Sequence, residues 1–388
     1  MFVKNAYVPI IKGKQNDIEA ITKVAASISY GIKPLIEITP NNDKCKSTDE
    51  HIAEFVHRVF NYASTSGGDF FVDFYGLFPD ENVASGENAI ISGFELLKSK
   101  SITVTPVYGL QRNDNIWFNL RNIVSDFKAG FCFRISIDDL DDQAEDTWRQ
   151  IIEQSVVLGL SPSEIDIIID LRYIGESPEI VKSCNYLVNE LQELVIDFIY
   201  YNRNASSYRS ITICGSSALK TVSSIPKDGI GEVIRVELRL WIALRKELSD
   251  SIQFGFGDYG VIHPNFIETS KSDSFKYINA KIRYTSGDKI TYFRGHGLYY
   301  PKKDFEQYHA LSDKLRASKY FCHKCVSIGD DYVCKCANLT NGPGNLKQWV
   351  LADMNHHIVY TATQVQRILQ CIAESRTERE LELAIENV

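Results

Sequence analysis

The stretch FGFGDYGVIHP, residues 254–264, carries the pattern G-x-G-x-x-G at Gly255, Gly257 and Gly260. Read as a dinucleotide fingerprint, it would make the chain a doubly wound nucleotide-binding domain. That fingerprint comes after a first strand and opens a helix whose N-terminus holds a pyrophosphate. Here seven strand candidates come before it. The residues after it, VIHPNF, contain Pro264 and show no helical period. The stretch therefore reads as an eighth strand whose alternate glycines, Gly255 and Gly257, allow close approach or a bend. It delivers Asp258 and Tyr259 to its C-terminal end.

The upstream runs are β-branched or aromatic: AYVPII (6–11), KPLIEI (33–38), FFVDF (70–74), TVTPVY (103–108), FCFRIS (131–136), DIIIDL (166–171) and SITIC (210–214), with QFGFGD (253–258) as the eighth. Amphipathic helical stretches separate them, such as DIEAITKVAASI (17–28) and TWRQIIEQSVVLGL (147–160). Strand–helix alternation means parallel strands with helical crossovers. Eight units are the count for an α/β fold of the (β/α)8 TIM-like barrel type, with an open doubly wound sheet as the alternative. VIRVELRLW (233–241) alternates as a strand would, yet reads as helix seven, because strand seven must reach a parallel strand eight through a crossover.

Beyond Pro264 the pattern changes. INAKIRYT (278–285) and KITYFRGHG (289–297), joined by SGD, read as a β-hairpin. Next come a helix over 304–317 and a cysteine-rich stretch, then an amphipathic helix over 356–372 that completes the barrel. The expected organisation is a barrel over 1–264, a β-rich, cysteine-containing insertion over 265–355 between strand eight and the last helix, and a closing helix over 356–388. Loops after barrel strands line the catalytic face, so the insertion would wall or cover the site.

The 388 residues carry a net charge of −8, which argues against a protein that wraps duplex nucleic acid but leaves room for a local cationic pocket. The N-terminal MFVKNAYVPIIKGK lacks the plan of a secretion signal, and no apolar run is long enough to span a membrane. With nine scattered cysteines, an odd number, the expected setting is the reducing cytoplasm.

Single charges recur near the ends of otherwise apolar strands: Glu37, Asp73, Arg134, Asp170, Arg172 and Asp258, with Lys12 and Lys14 after strand one. A charge in such a strand is costly unless paired, so the set implies a polar pocket or an internal ion-pair network. As a pocket, Glu37, Asp73, Asp170 and Asp258 are hard oxygen ligands for Mg²⁺ or Mn²⁺. Lys12, Lys14, Arg134, Arg172 and Arg283 would clamp phosphate. His356 or His357, with Asp170, would serve acid–base chemistry; adjacent histidines cannot share a helix face, so at most one reaches the mouth. In CHKCVSIGDDYVCKC, Cys322, Cys325, Cys334 and Cys336 have the count for a structural zinc, although the second pair is one residue short of the usual knuckle.

YVPIIKGKQNDIEAI with IKPLIEI, then FGDYGVIHP, KIRYT, FRGHG and WVLADMNHHIVY, together resemble the Beta protein family across roughly residues 7–369. The resemblance implies a setting of phage genomes and mobile elements, often near defence-type genes, and assigns no catalytic residue. Two functions are expected. One is a metal-dependent phosphodiesterase or nuclease acting on a phosphate-containing substrate or a nucleic-acid end. The other is a non-catalytic module that senses a phosphorylated ligand or docks a phage or host protein.

Overall fold

Parallel strands in a closed barrel must be buried on both faces, and each of the eight apolar runs forms such a strand. A computed structural model describes residues 6–24, 28, 31–43, 45–112, 116–140, 143–175, 181–248, 252, 254–265, 278–323, 327–374 and 376–386. The barrel strands are β1 (Tyr7–Lys12), β2 (Leu35–Glu37), β3 (Phe71–Asp73), β4 (Thr105–Tyr108), β5 (Phe131–Ser136), β6 (Ile165–Tyr173), β7 (Ser210–Ser216) and β9 (Phe254–Asp258). They pair in that order, all parallel, and β9 closes on β1 with Val8 opposite Gly257. The (β/α)8 barrel is the fold.

Alternation along the strands sorts the side chains into two sets. Val8, Ile10, Leu35, Phe71, Val107, Cys132, Ile168 and Cys214 cluster inside the barrel. Ile11, Ile36, Val72, Phe133, Ile169 and Ile213 belong to the outer core, beneath the helices. Those helices are α1 (Gln15–Thr22), α2 (Thr48–Ser66), α3 (Ala89–Ser99), α4 (Trp117–Phe127), α5 (Ala144–Leu158), α6 (Val181–Tyr201) and α7 (Val236–Glu247). At the N-terminal end of the strands, Asp166 takes ion pairs from Lys33 (3.0 Å) and Arg209 (2.7 Å) and closes that end.

Two boundaries differ from expectation. The segment 233–241 splits: Val233 and Ile234 end strand β8 (Ile230–Ile234), and α7 starts only at Val236. The strand-like and helical periods in that stretch are both real, one after the other. β8 leaves the barrel to pair antiparallel with β11 (Lys289–Gly297), which pairs with β10 (Asn279–Ser286) as the expected hairpin. The added sheet therefore draws on the loops after both β7 and β9.

The last long helix begins ten residues early. Of α8 (Gln307–Arg316), α9 (Ile328–Ala337), α10 (Leu346–Ala373) and α11 (Glu378–Glu386), it is α10 that packs on α1, α7 and β1 as the eighth barrel helix. Asn345 caps it in a reciprocal pair with Gln348. Its first turns belong to the insertion, where Trp349 stacks on Tyr308 at 4.6 Å in a second apolar core with Ile282, Tyr284 and Phe293.

The glycines of β9 are explained by the interior. A Cβ on Gly257 would run into Cys214 Sγ and the Val8 carbonyl (2.8 Å), and one on Gly255 would meet Thr212 Oγ1 at 2.8 Å. Gly257→Ala should cost about 1–3 kcal/mol in denaturant unfolding through overpacking; an unchanged midpoint would show that the barrel interior has slack at this strand.

Candidate functional site

Inward parity carries the charges of the strand ends to one place. Lys12, Glu37, Asp73, Arg134 and Asp170 each stand two residues beyond an inward apolar residue: Ile10, Leu35, Phe71, Cys132 and Ile168. At the centre is Arg134. Its Nη1 donates to Glu37 Oε2 (2.9 Å) and Asp73 Oδ2 (2.8 Å). Its Nη2 donates to Asp170 Oδ2 (2.7 Å) and to the Tyr259 hydroxyl (2.8 Å), which in turn donates to Asp170 (2.6 Å). Lys12 reaches Glu37 Oε1 at 2.6 Å, and Arg112 forks onto both oxygens of Asp73 at 2.7 and 2.9 Å. Burial works to raise the Glu37 pKa, but Lys12, Arg134 and Arg172 outweigh it and pull it down to about 2. Burial raises the Tyr259 phenol well above its ordinary value, keeping it a donor.

Arg172 completes the mouth. Its guanidinium contacts the Tyr259 hydroxyl (3.3 Å), the Pro264 carbonyl (3.3 Å) and Asn265 Oδ1 (2.7 Å). Among the described residues it forms no salt bridge to a carboxylate. Its backbone lies in the left-handed region, φ +56°, held by its own N–H donating to Asp170 Oδ1 (3.0 Å). Over the cluster lies Tyr75, two residues past Asp73, its ring centroid 5.0 Å from the guanidinium of Arg112, 4.6 Å from that of Arg134 and 4.9 Å from that of Arg172.

The arrangement changes the expected metal site. Glu37, Asp73 and Asp170 do converge, but around a guanidinium that bonds to all three, so the place a divalent ion would take is filled by Arg134. No group of three or more His, Cys, Asp or Glu among the described residues is arranged to hold a metal. Asp258 is not in the mouth at all. With Gly255 and Gly257 inward, Tyr259 shares their parity and Asp258 points outward, beneath α7 and α10. The signal is present in the sequence: alternate glycines mark the crowded inner face of β9.

Asp258 anchors a second buried network. It accepts from Tyr7 (2.8 Å), Arg235 (3.2 Å), His357 Nε2 (2.9 Å) and the Gly260 N–H (3.0 Å). Burial opposes its charge, yet His357 and Arg235 bring its pKa down to about 2. Burial, against Asp258, lowers His357. Arg235 also donates to Gln364 (2.9 Å) and Thr361 (3.1 Å) of α10. Glu237, hydrogen-bonded by Ser217 (2.6 Å), is raised by burial to about 7.

The sequence places His356 and His357 at the start of the last helix, with at most one facing the mouth. The structure puts them in the middle of α10, 1% and 0% exposed. Each points a different way, and both hold Thr285 of β10. His356 Nε2 donates to the Thr285 carbonyl (2.8 Å), while His357 Nδ1 accepts its hydroxyl (2.6 Å). Behind His356, Nδ1 lies 2.9 Å from Asp330 Oδ1, close enough for charge pairing but off the line of a hydrogen bond. The pair is a clamp between insertion and barrel, with both rings enclosed.

The other expected residues are dispersed. Arg283 pairs with Asp353 of α10 at 2.8 Å, inside the insertion seam. Lys14 stands at the N-cap of α1, its carbonyl accepting from Ile18. Cys334 and Cys336 lie on α9 two positions apart, roughly 200° around the helix, so they cannot face one ion. Cys325 lies outside the described residues. Arg112 and Tyr75 belong to the site without having been singled out by the sequence. Tyr75 is legible from the parity of Asp73, whereas Arg112 sits in a loop without a period.

Arg134→Met takes away the cation bonded to buried Asp170 and leaves Glu37 to Lys12 and Asp73 to Arg112. It should cost about 3–5 kcal/mol in denaturant unfolding; a loss under about 1 kcal/mol would mean that Tyr259 and the remaining cations suffice for these carboxylates. Glu237 gives a pH test. Its folded pKa is raised, so its contribution is present below about pH 4.5 and lost as pH rises through about 7. Between pH 5 and 8, Glu237→Gln should gain about 2–3 kcal/mol relative to wild type. Parallel pH profiles for the two proteins would show that Glu237 titrates normally.

Comparison with known proteins identifies the family. A mutant tryptophan synthase alpha-subunit from Pyrococcus furiosus aligns at 10% identity over 67% of this chain and 89% of its own, with a TM-score of 0.37. A second mutant form aligns at 11% identity over the same shares, with a TM-score of 0.38. Likenesses this weak carry no argument, and the barrel rests on its own strand pairing. No curated protein matches the chain. The Beta protein family matches residues 7–363, from the first barrel strand to within the eighth barrel helix. This chain belongs to the Beta protein family.

Proposed function

We propose that the barrel mouth binds a small phosphorylated ligand, as a recognition module and not as a metal-dependent phosphodiesterase or nuclease. The observation that carries the reading is the charge balance. Lys12, Arg112, Arg134 and Arg172 face Glu37, Asp73 and Asp170, four cations against three carboxylates. The surplus belongs to Arg172, whose guanidinium has neutral hydrogen-bond partners and which is partly open to solvent. A bulky residue held at positive φ is strained, and strain of this kind concentrates where a side chain must be aimed. A guanidinium suits the planar, two-point grip that phosphate oxygens offer.

Against the hydrolase, the carboxylates that a metal mechanism needs are each bonded to arginine or lysine. The two histidines considered for proton transfer are enclosed. A part in phage–host conflict is the finer portion of the proposal and rests on the family resemblance alone.

Calorimetric titration with ribose 5-phosphate tests it. Arg172→Ala should weaken binding about 10- to 100-fold, the worth of a charge-assisted hydrogen bond. The wild-type affinity should fall with added salt. The Arg172 guanidinium has only neutral hydrogen-bond partners and its backbone bond to Asp170 is kept, so the variant should fold. Equal affinities for the two proteins, or no binding to wild type at low salt, would end the proposal.

A further inference from the structure

We propose that the ligand is a free nucleoside phosphate, its phosphate held by the cations of the mouth and its base stacked on Tyr75; this rests on the reading of the mouth as a phosphate site. Tyr75 is the unusual feature. Three guanidiniums lie within 5.0 Å of its ring centroid, yet the residue stays 43% exposed. Cation–π contacts on that scale fix the ring in place. A ring serving only to cover Arg134 would gain by being buried. This one is rigid and still presents surface to solvent, so a planar group can stack on it with little ordering cost.

The surroundings select the same chemistry. Aromatic platforms beside cations are how proteins hold bases and phosphates together, because every base has a π-face. In a nucleoside phosphate one ribose separates the two groups, so a base on the solvent face of the ring leaves its phosphate to reach past the ring edge to the guanidiniums beneath. A phosphosugar would use the cations and leave the ring bare.

Further planar groups lie in the segments that follow the barrel strands. Tyr173, at the end of β6, packs tilted against His263 at 4.4 Å. His263 Nδ1 accepts the Asn265 N–H (3.0 Å), which places the ring proton on Nε2 as a donor. Phe78, in the same loop as Tyr75, is 75% exposed. The net charge of −8 favours a small ligand over a polymer, which would meet repulsion beyond the pocket.

Three probes separate the possibilities by calorimetry on the full chain: ribose 5-phosphate, the four nucleoside 5′-monophosphates, and the matching unphosphorylated nucleosides. The expected result is at least one monophosphate binding about tenfold or more tighter than ribose 5-phosphate. Its unphosphorylated nucleoside should bind more weakly than the monophosphate; equal binding of the two would remove the phosphate from recognition and overturn both readings. Tyr75→Ala should remove the monophosphate's advantage and leave the ribose 5-phosphate affinity within about twofold, while Tyr75→Phe keeps it. Equal binding of ribose 5-phosphate and every monophosphate overturns this inference and leaves the phosphate site standing. Absence of binding by every phosphorylated probe overturns both. An advantage that survives Tyr75→Ala places the base elsewhere and overturns the role of this ring.

Discussion

A guanidinium surrounded by three carboxylates fixes the geometry of the mouth. Arg134 is nearly fully buried, and so are Glu37, Asp73 and Asp170. None of the four is tolerable there alone, because an unpaired charge in such a site costs several kcal/mol. Together they satisfy one another, and each carboxylate comes from a different strand. The network therefore works only if β2, β3, β5 and β6 hold their register to within a hydrogen bond. A slip of one residue would turn every one of these side chains outward. Register, closure and charge pairing are one constraint.

The same parity rule separates this cluster from its neighbour. On β9 the inward positions are taken by Gly255, Gly257 and Tyr259, so the acid of that strand faces the helices. There it meets Arg235, Tyr7 and His357 and becomes the anchor of a seam. Arg235 reaches Gln364 and Thr361, His357 reaches Thr285, and His356 holds the carbonyl of the same threonine. The added sheet is thus tied through α10 to the barrel by buried polar contacts. That leaves the mouth with rim groups of a different kind: Tyr75, Arg112 and Arg172, all reached by solvent. One cluster is closed, and the other is closed below and open above.

Much of this is legible in the chain. Short apolar runs bounded by amphipathic helices specify parallel strands, and their count fits a closed barrel while leaving an open doubly wound sheet as the alternative. The charge at each strand end marks the mouth, and five of those that converge there (Lys12, Glu37, Asp73, Arg134 and Asp170) stand at positions that simple alternation would pick out. The hairpin over 279–297 is evident from its turn and its period. These features are local, set by side-chain periodicity along a few residues, and periodicity is written in sequence.

What a charge pairs with is not local. Glu37 and Arg134 are 97 residues apart, and Asp258 and His357 are 99 apart. From composition alone, four acids near strand ends fit a metal as well as they fit an arginine, and two adjacent histidines fit catalysis as well as a clamp. Only closure of the barrel puts Arg134 where an ion would sit, and only packing of α10 against β10 encloses the histidines. The sequence by itself determined eight parallel strands with helical crossovers and the location of their polar end, and pairing of β9 on β1 closed them into a barrel. The tertiary structure decided which charges neutralise each other and which one, Arg172, keeps neutral partners and a face open to solvent, because pairing depends on distances between segments that no local pattern encodes.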